Sequence, residues 1–299
     1  MTTRILPLTA VLFLFGCDQL TATVQGVAIL TQTPRLTEVE GLPTSLTTAL
    51  GDAVSVAELG TVISLAAISE RDSVTDTSAP EPLSGAQVTL ESTTAVVGLC
   101  ELVGTAPGTY QVTTQPSTGC DGTGLEYVEN SKYVTAIETN TERYTLTVES
   151  APGPVETVTF APAFGSGGLG GVPTHPSGMP LSVDWSANGG ELDGFVTVFR
   201  IDFAGDESMP QDVVTATNWQ ASANNPVFDN FPRTGGDALD FVLGDPVQSV
   251  TVPGAVLTTS GLYLVLVTAV DISTDVSSNL SLGSSALAGA GRAWAFWID

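Results

Sequence analysis

Positive charge is what this chain most lacks. One lysine, Lys132, and seven arginines stand against 32 acidic side chains, for a net charge of −24 over 299 residues. The acids are scattered singly through apolar, β-branched sequence and not gathered in blocks, so the imbalance comes from missing bases. Such a surface repels polyphosphate and anionic headgroups, which argues against a nucleic-acid partner. Histidine is reduced to His175 alone, so a histidine metal cluster is impossible, and no G-x-S-x-G is present to go with a catalytic triad. Long apolar runs are missing too. The longest opens the chain, Ile5 to Gly16, twelve residues where a membrane-spanning helix needs roughly 20.

What is present at that start fixes the expected compartment. Arg4, the apolar run and a small residue before Cys17 follow the order of a secretory signal. Leu14-Phe15-Gly16-Cys17 resembles the lipobox of bacterial lipoproteins, with Phe15 bulkier than that family usually carries at its position. The resemblance implies that residues 1–16 are removed and that Cys17 becomes a lipidated N-terminus, tethering the chain to a membrane by its acyl chains. Asp18 marks inner-membrane retention in some enteric lipoproteins; outside them the resemblance implies the outer membrane or cell surface.

With Cys17 taken by lipid, Cys100 and Cys120 are left. Two thiols a short loop apart in an oxidising compartment are expected to pair, and neither a CxxC nor a nearby His supports a metal site or a reactive thiol. Closing a loop of that size stabilises a fold by roughly 3 kcal/mol on the chain-entropy model.

Helix signals are confined to residues 35–52, where one short helix is expected to open at Ser45 and end at Gly51. Nearly everything else is short runs rich in Val, Thr and Leu, punctuated by Gly, Pro, Asn and Asp. That pattern predicts an all-β fold: two β-sandwich domains in tandem behind the signal peptide. The boundary is expected at Ala151-Pro152-Gly153-Pro154, giving residues 17–150 and 151–299 and predicting that 154–299 folds alone. Pro82 to Leu90, with Pro107-Gly108-Thr109-Tyr110-Gln111-Val112 downstream, resembles the carboxypeptidase regulatory-like, transthyretin-type sandwich, a structural or adhesive module. The likeness departs at the front, because Val24 to Val27 lies some 60 residues before Gly85. In the second half, Trp185 on an alternating strand and the segment Leu257 to Val267 resemble fibronectin type III and immunoglobulin-like domains. The resemblance implies a core role for Trp185 and a tyrosine corner at Tyr263. The last strand is expected at Ala293–Ile298, with one buried face.

Candidate chemistry is sparse. Gly165-Ser166-Gly167-Gly168-Leu169-Gly170 matches GxGxxG, but Pro173, Pro176 and Pro180 follow where a dinucleotide site needs a helix, so a flexible loop is expected. Asp202, Asp206, Glu207 and Asp212 crowd one turn, and Asp271 and Asp275 follow another strand. Acidic loops of this kind hold Ca²⁺ in some extracellular sandwiches, though D-x-D-x-D-G is absent and solvated acids are the expectation. No catalytic, cofactor or metal residue is singled out. The sequence therefore points to a non-catalytic binding, adhesion or structural module with an unidentified protein or glycan partner. Two alternatives stand: a subunit of a surface assembly, or a carbohydrate-binding protein or hydrolase using acids and Trp219, Trp294 or Trp297.

Overall fold

A computed structural model describes residues 22–50, 59–73, 80–102, 106–114, 120, 122–186, 193–204, 212–222, 248–281 and 283–299. The strands are β1 (Val24–Gln32), β2 (Val62–Glu70), β3 (Glu81–Pro82), β4 (Gln87–Glu91), β5 (Val96–Glu101), β6 (Thr109–Thr113), β7 (Tyr133–Glu138) and β8 (Arg143–Val148). They continue with β9 (Thr157–Ala161), β10 (Thr174–His175), β11 (Leu181–Ser186), β12 (Asp193–Ala204) and β13 (Asp212–Ser222). The last are β14 (Ser249–Val252), β15 (Gly261–Ser273), β16 (Asp275–Val276) and β17 (Ser285–Ile298). Among the described residues the one α-helix, α1 (Thr44–Leu50), sits where the sequence placed it. The fold is mostly β, as expected. Ala238–Leu243, where the sequence pattern also predicts a strand, lies outside the described residues.

In the C-terminal unit, β14-β11-β9 face β13-β12-β15-β17 across an apolar core. Alternation explains the packing: Leu181, Val183 and Trp185 point inward from β11 and meet Tyr263, Val265 and Val267 from β15. Trp185 lies flat against Gly194, where an added Cβ would sit 2.8 Å from the indole, so the glycine is what lets the ring in. The Tyr263 hydroxyl donates to Thr259 O at 2.9 Å, closing the tyrosine corner. Three strands against four in this order make an immunoglobulin- or fibronectin III-like sandwich.

The N-terminal unit stacks β1-β2-β6 on β5-β4-β7-β8, with Tyr110, Ile137, Leu146 and Ile68 among its fully buried side chains. Cys100 and Cys120 form the expected disulfide, their Cα atoms 5.8 Å apart. The two resembling motif pieces meet in space. Tyr110 OH donates to Leu83 O and accepts from Ala86 N, while Glu101 accepts from Gly85 N and Gly108 N. Gly108 sits at φ +70°, where a Cβ would press within 2.8 Å of Ile68 O.

The expected boundary falls in the connection between β8 and β9, but the cores do not divide there. Val27–Gln32 of β1 lie parallel to Ser285–Ala290 of β17, so one sheet runs through both units. β16 pairs with β8, and Leu280, Ala286 and Ala288 complete the N-terminal core. The loan is returned. Val39, Leu46, Leu50 and Leu59 cover the outer face of β15 and β17, where Leu262, Leu264, Leu266 and Trp297 would otherwise meet water. Glu40 fixes this cover: its backbone bonds both Ala293 O and Ala295 N, and its carboxylate takes Trp294 Nε1 at 3.0 Å and the Arg292 guanidinium. The segment between β1 and β2 thus roofs the other unit through Val39, Leu46, Leu50 and Leu59.

Two sequence expectations change here. β17 is fourteen residues long, not six, and is buried on both faces over its aromatic end. The missed half, Ser285 to Arg292, is rich in Ala and Gly, which strand propensity disfavours. Those small residues are what the position demands: a Cβ on Gly289 would lie 2.7 Å from Ala269 O, and one on Gly291 2.7 Å from Leu266 Cδ1. Likewise, the Gly-Pro stretch at 165–180 is held, not free. Gly165 and Thr174 exchange backbone bonds, Trp297 N donates to Pro173 O, and Val172 is fully buried.

Candidate functional site

Among the described residues, a cleft opens at the end of the N-terminal unit where β1 begins. It encloses about 600 Å³ between the start of β1 (Ala22–Val24), Glu70 at the end of β2, the Leu83–Ala86 turn and the β7–β8 hairpin. A smaller notch of about 330 Å³ adjoins it and shares Thr23, Glu70 and Leu83.

Its walls are stiff for local reasons. The hairpin turn at 139–142 is tied by Thr139, whose Oγ1 accepts from Glu142 N at 3.0 Å and donates to Glu142 O at 3.1 Å. The opposite turn is pinned by Tyr110 and by Glu101 Oε2, which accepts from Gly85 N; Gly108 N donates to the other oxygen, and these backbone donors, Gly108 first, hold the Glu101 carboxyl below its ordinary range. In the floor, Asn279 Nδ2 donates to Glu142 Oε2 at 2.9 Å. Burial, followed by its bond to Glu142, pushes the Tyr144 phenol up to about 12, so it remains a hydrogen-bond donor at neutral pH.

Glu142 is therefore committed to two protein donors, while Glu70 and the hydroxyl and amide groups of Thr141 and Asn140 border the open space. The cleft offers more acceptors than cationic donors. Chemically it suits a small hydroxyl-rich or cationic group held by hydrogen bonds.

The sequence singled out none of these residues, since each is an ordinary surface Glu, Thr or Asn until β1, β8 and the 279 turn are brought together. Glu142 and Asn279 are 137 positions apart. The Pro82–Ala86 motif was the one usable signal.

Of the residues it did single out, Cys17 lies outside the described residues. Ala22, five residues on, lines the cleft, so an anchor at Cys17 would sit within about 18 Å of it even on a fully extended path. Asp206 and Glu207 also lie outside the described residues, as do the side chains of Asp202, Asp212 and Trp219. Asp271 is half-buried, and that burial raises its carboxyl above the usual carboxylate range. Among the described residues, no group of three or more His, Cys, Asp and Glu side chains is placed to hold a metal ion.

His175 is in the core of the C-terminal unit: Nε2 donates to Met179 O at 2.9 Å, and the ring stands edge-on to Phe164 and Phe296. Trp294 and Trp297, considered as stacking surfaces, are 8% and 7% exposed and pack on opposite faces of β17. Neither presents a ring to solvent.

No family model matches the chain, and no curated protein does. Among solved structures, it is similar to the FN1–FN3 domains of chicken CNTN1, with 12% identity and a TM-score of 0.19. That pairing covers 79% of this chain and 62% of the other, so this chain spans less than two thirds of that structure's length.

Proposed function

We propose that the protein is a lipid-anchored lipoprotein of the bacterial outer membrane or cell surface, a non-catalytic binding or structural module held by acyl chains on Cys17. The observation that carries this reading is the position of β1. It starts at Val24, seven residues after Cys17, and is paired on both sides, with β2 and with β17. A chain tethered there would be joined to its anchor through the centre of its own sheet and not through a loose domain at its edge. The lipobox-like start supplies the anchor, and more than one acyl chain makes such anchoring stable.

The N-terminal unit is read as transthyretin-like and the C-terminal unit as fibronectin III-like, both common scaffolds for adhesion and structure. The acid-lined cleft beside the tether is the binding feature this reading offers to a protein or glycan partner. A carbohydrate-stacking enzyme is less well supported, because Trp294 and Trp297 are spent on the core.

Cys17→Ala, expressed in a bacterial host, is expected to leave the membrane fraction or to accumulate as unprocessed precursor. Processing and membrane partition equal to wild type would overturn the anchored reading.

A further inference from the structure

We infer that this chain is a load-bearing connector, whose resistance to pulling resides in the pairing of its first strand with its last. The inference rests on the anchored reading and not on the cleft beside the tether: it asks what a pull between that tether and a contact at the opposite, Ile298 end of β17 would do to this sheet.

β1 and β17 run parallel, with Val27 beside Ser285 and Gln32 beside Ala290. The tether enters β1 at its N-terminal end, and β17 leaves in the same direction toward Ile298, over a length on the order of 45 Å for a fourteen-residue strand. A force applied at the tether and at the far end therefore pulls the two strands along their axes in opposite directions. Ladder hydrogen bonds lie across the strand axes, so such a force shears them together and does not unzip them one by one.

The flanking pairs are loaded in the same way. β1 is also bonded along its whole length to β2, from Val24–Glu70 to Gln32–Val62. β17 is bonded to β15 from Ile298–Gly261 to Ala286–Ser273. Neither terminal strand lies at an edge of the described sheet, so neither can peel away sideways before its ladders break.

Side chains reinforce the clamp. Gly289 and Gly291 let the neighbouring backbones close in, and the Glu40 carboxylate ties the roofing segment to Arg292 and Trp294 just beyond the parallel stretch. The Cys100–Cys120 disulfide closes its loop away from these two strands and would not carry the load.

The test is single-molecule pulling of the mature chain with a handle at residue 17 in place of lipid. In one molecule the second handle follows Asp299. In the other it is placed on an exposed site before β17 by Ser278→Cys, so that both handles act at the same end of the β1–β17 pair. Forced rupture reads the unfolding barrier directly. End-to-end pulling is expected to need a several-fold higher force and to open both units in one event, with the 100–120 loop still closed. Equal forces in the two geometries, or end-to-end opening of the two units in separate low-force steps, would overturn the inference. Failure of the anchor reading is seen independently in the Cys17→Ala fractionation, which does not involve this geometry.

Discussion

The two units of this molecule close their cores by different means. The N-terminal one uses medium-sized residues, Val, Leu, Ile and Tyr, and adds a disulfide and tyrosine hydroxyls bonded to backbone. The C-terminal one has no disulfide among the described residues and relies on large rings: Phe164, Phe296 and Tyr263 stack with centroids 5.0 and 5.4 Å apart, while Trp185 and Trp294 fill the same core. Each fully buried apolar side chain of this size contributes about 1.5–3 kcal/mol, so neither strategy is intrinsically weaker. The difference lies in what each leaves unfinished. The N-terminal sandwich lacks an edge, which β16 and the start of β17 supply. The C-terminal sheet buries its inner face but exposes Leu262, Leu264 and Leu266 outward, and the 36–50 segment with Leu59 covers them. Sequence order and structural unit therefore differ, and each half holds a piece the other needs.

That exchange also explains what was legible beforehand. Period-two alternation around Trp185 reported local burial, and that strand falls where expected. The disulfide followed from compartment and spacing, and the Tyr263 corner from a motif. The exchanged pieces gave no such signal. Ala286 to Gly291 looks like a linker because its smallness answers to Leu266, Thr268 and Ala269 of β15 and to its parallel pairing with β1 at the other end of the chain, a demand that local pattern does not encode. The cleft was hidden for the same reason, since Glu70, Glu142 and Asn279 share a site only after β16 docks on β8.

The sharpest way to break the comparison is to separate the halves. Residues 154–299 expressed alone lose the cover from Val39, Leu46, Leu50 and Leu59, so the fragment is expected to bind hydrophobic dye and to melt without a cooperative transition. Adding residues 18–150 should restore a cooperative melt. A well-folded isolated fragment would show that the cover is dispensable.

A milder test leaves the chain intact. Gly291→Val pushes a branched side chain into Leu266 and Thr268 at the seam, with an expected cost of about 1–3 kcal/mol. The same change at Gly98, where an added Cβ meets nothing within 4 Å, should cost far less. Chemical denaturation of the two variants makes the comparison.

The smallest effect concerns the N-terminal unit alone. Glu101 is held below its ordinary carboxyl value of 4.5 by bonds from Gly108 and Gly85. A depressed folded value means the stabilisation is present above the unfolded value and is lost as pH falls through the folded one. Glu101→Gln should therefore melt slightly lower than wild type at pH 7, and the gap should shrink below pH 4.5. A gap that is constant with pH would assign the effect to shape and not to charge.

The interlocking itself can be tested with a probe on one side and a perturbation on the other. All four tryptophans, Trp185, Trp219, Trp294 and Trp297, lie in the C-terminal half, whereas the disulfide lies in the N-terminal half. Replacing Cys100 and Cys120 together by Ser removes roughly 3 kcal/mol of stabilisation from the N-terminal unit. If the halves share their cores, tryptophan fluorescence should report the loss: its thermal transition moves down by several degrees, in step with the far-ultraviolet circular dichroism. A tryptophan transition that stays at the wild-type temperature while the rest of the signal shifts would contradict the account and restore two independent domains.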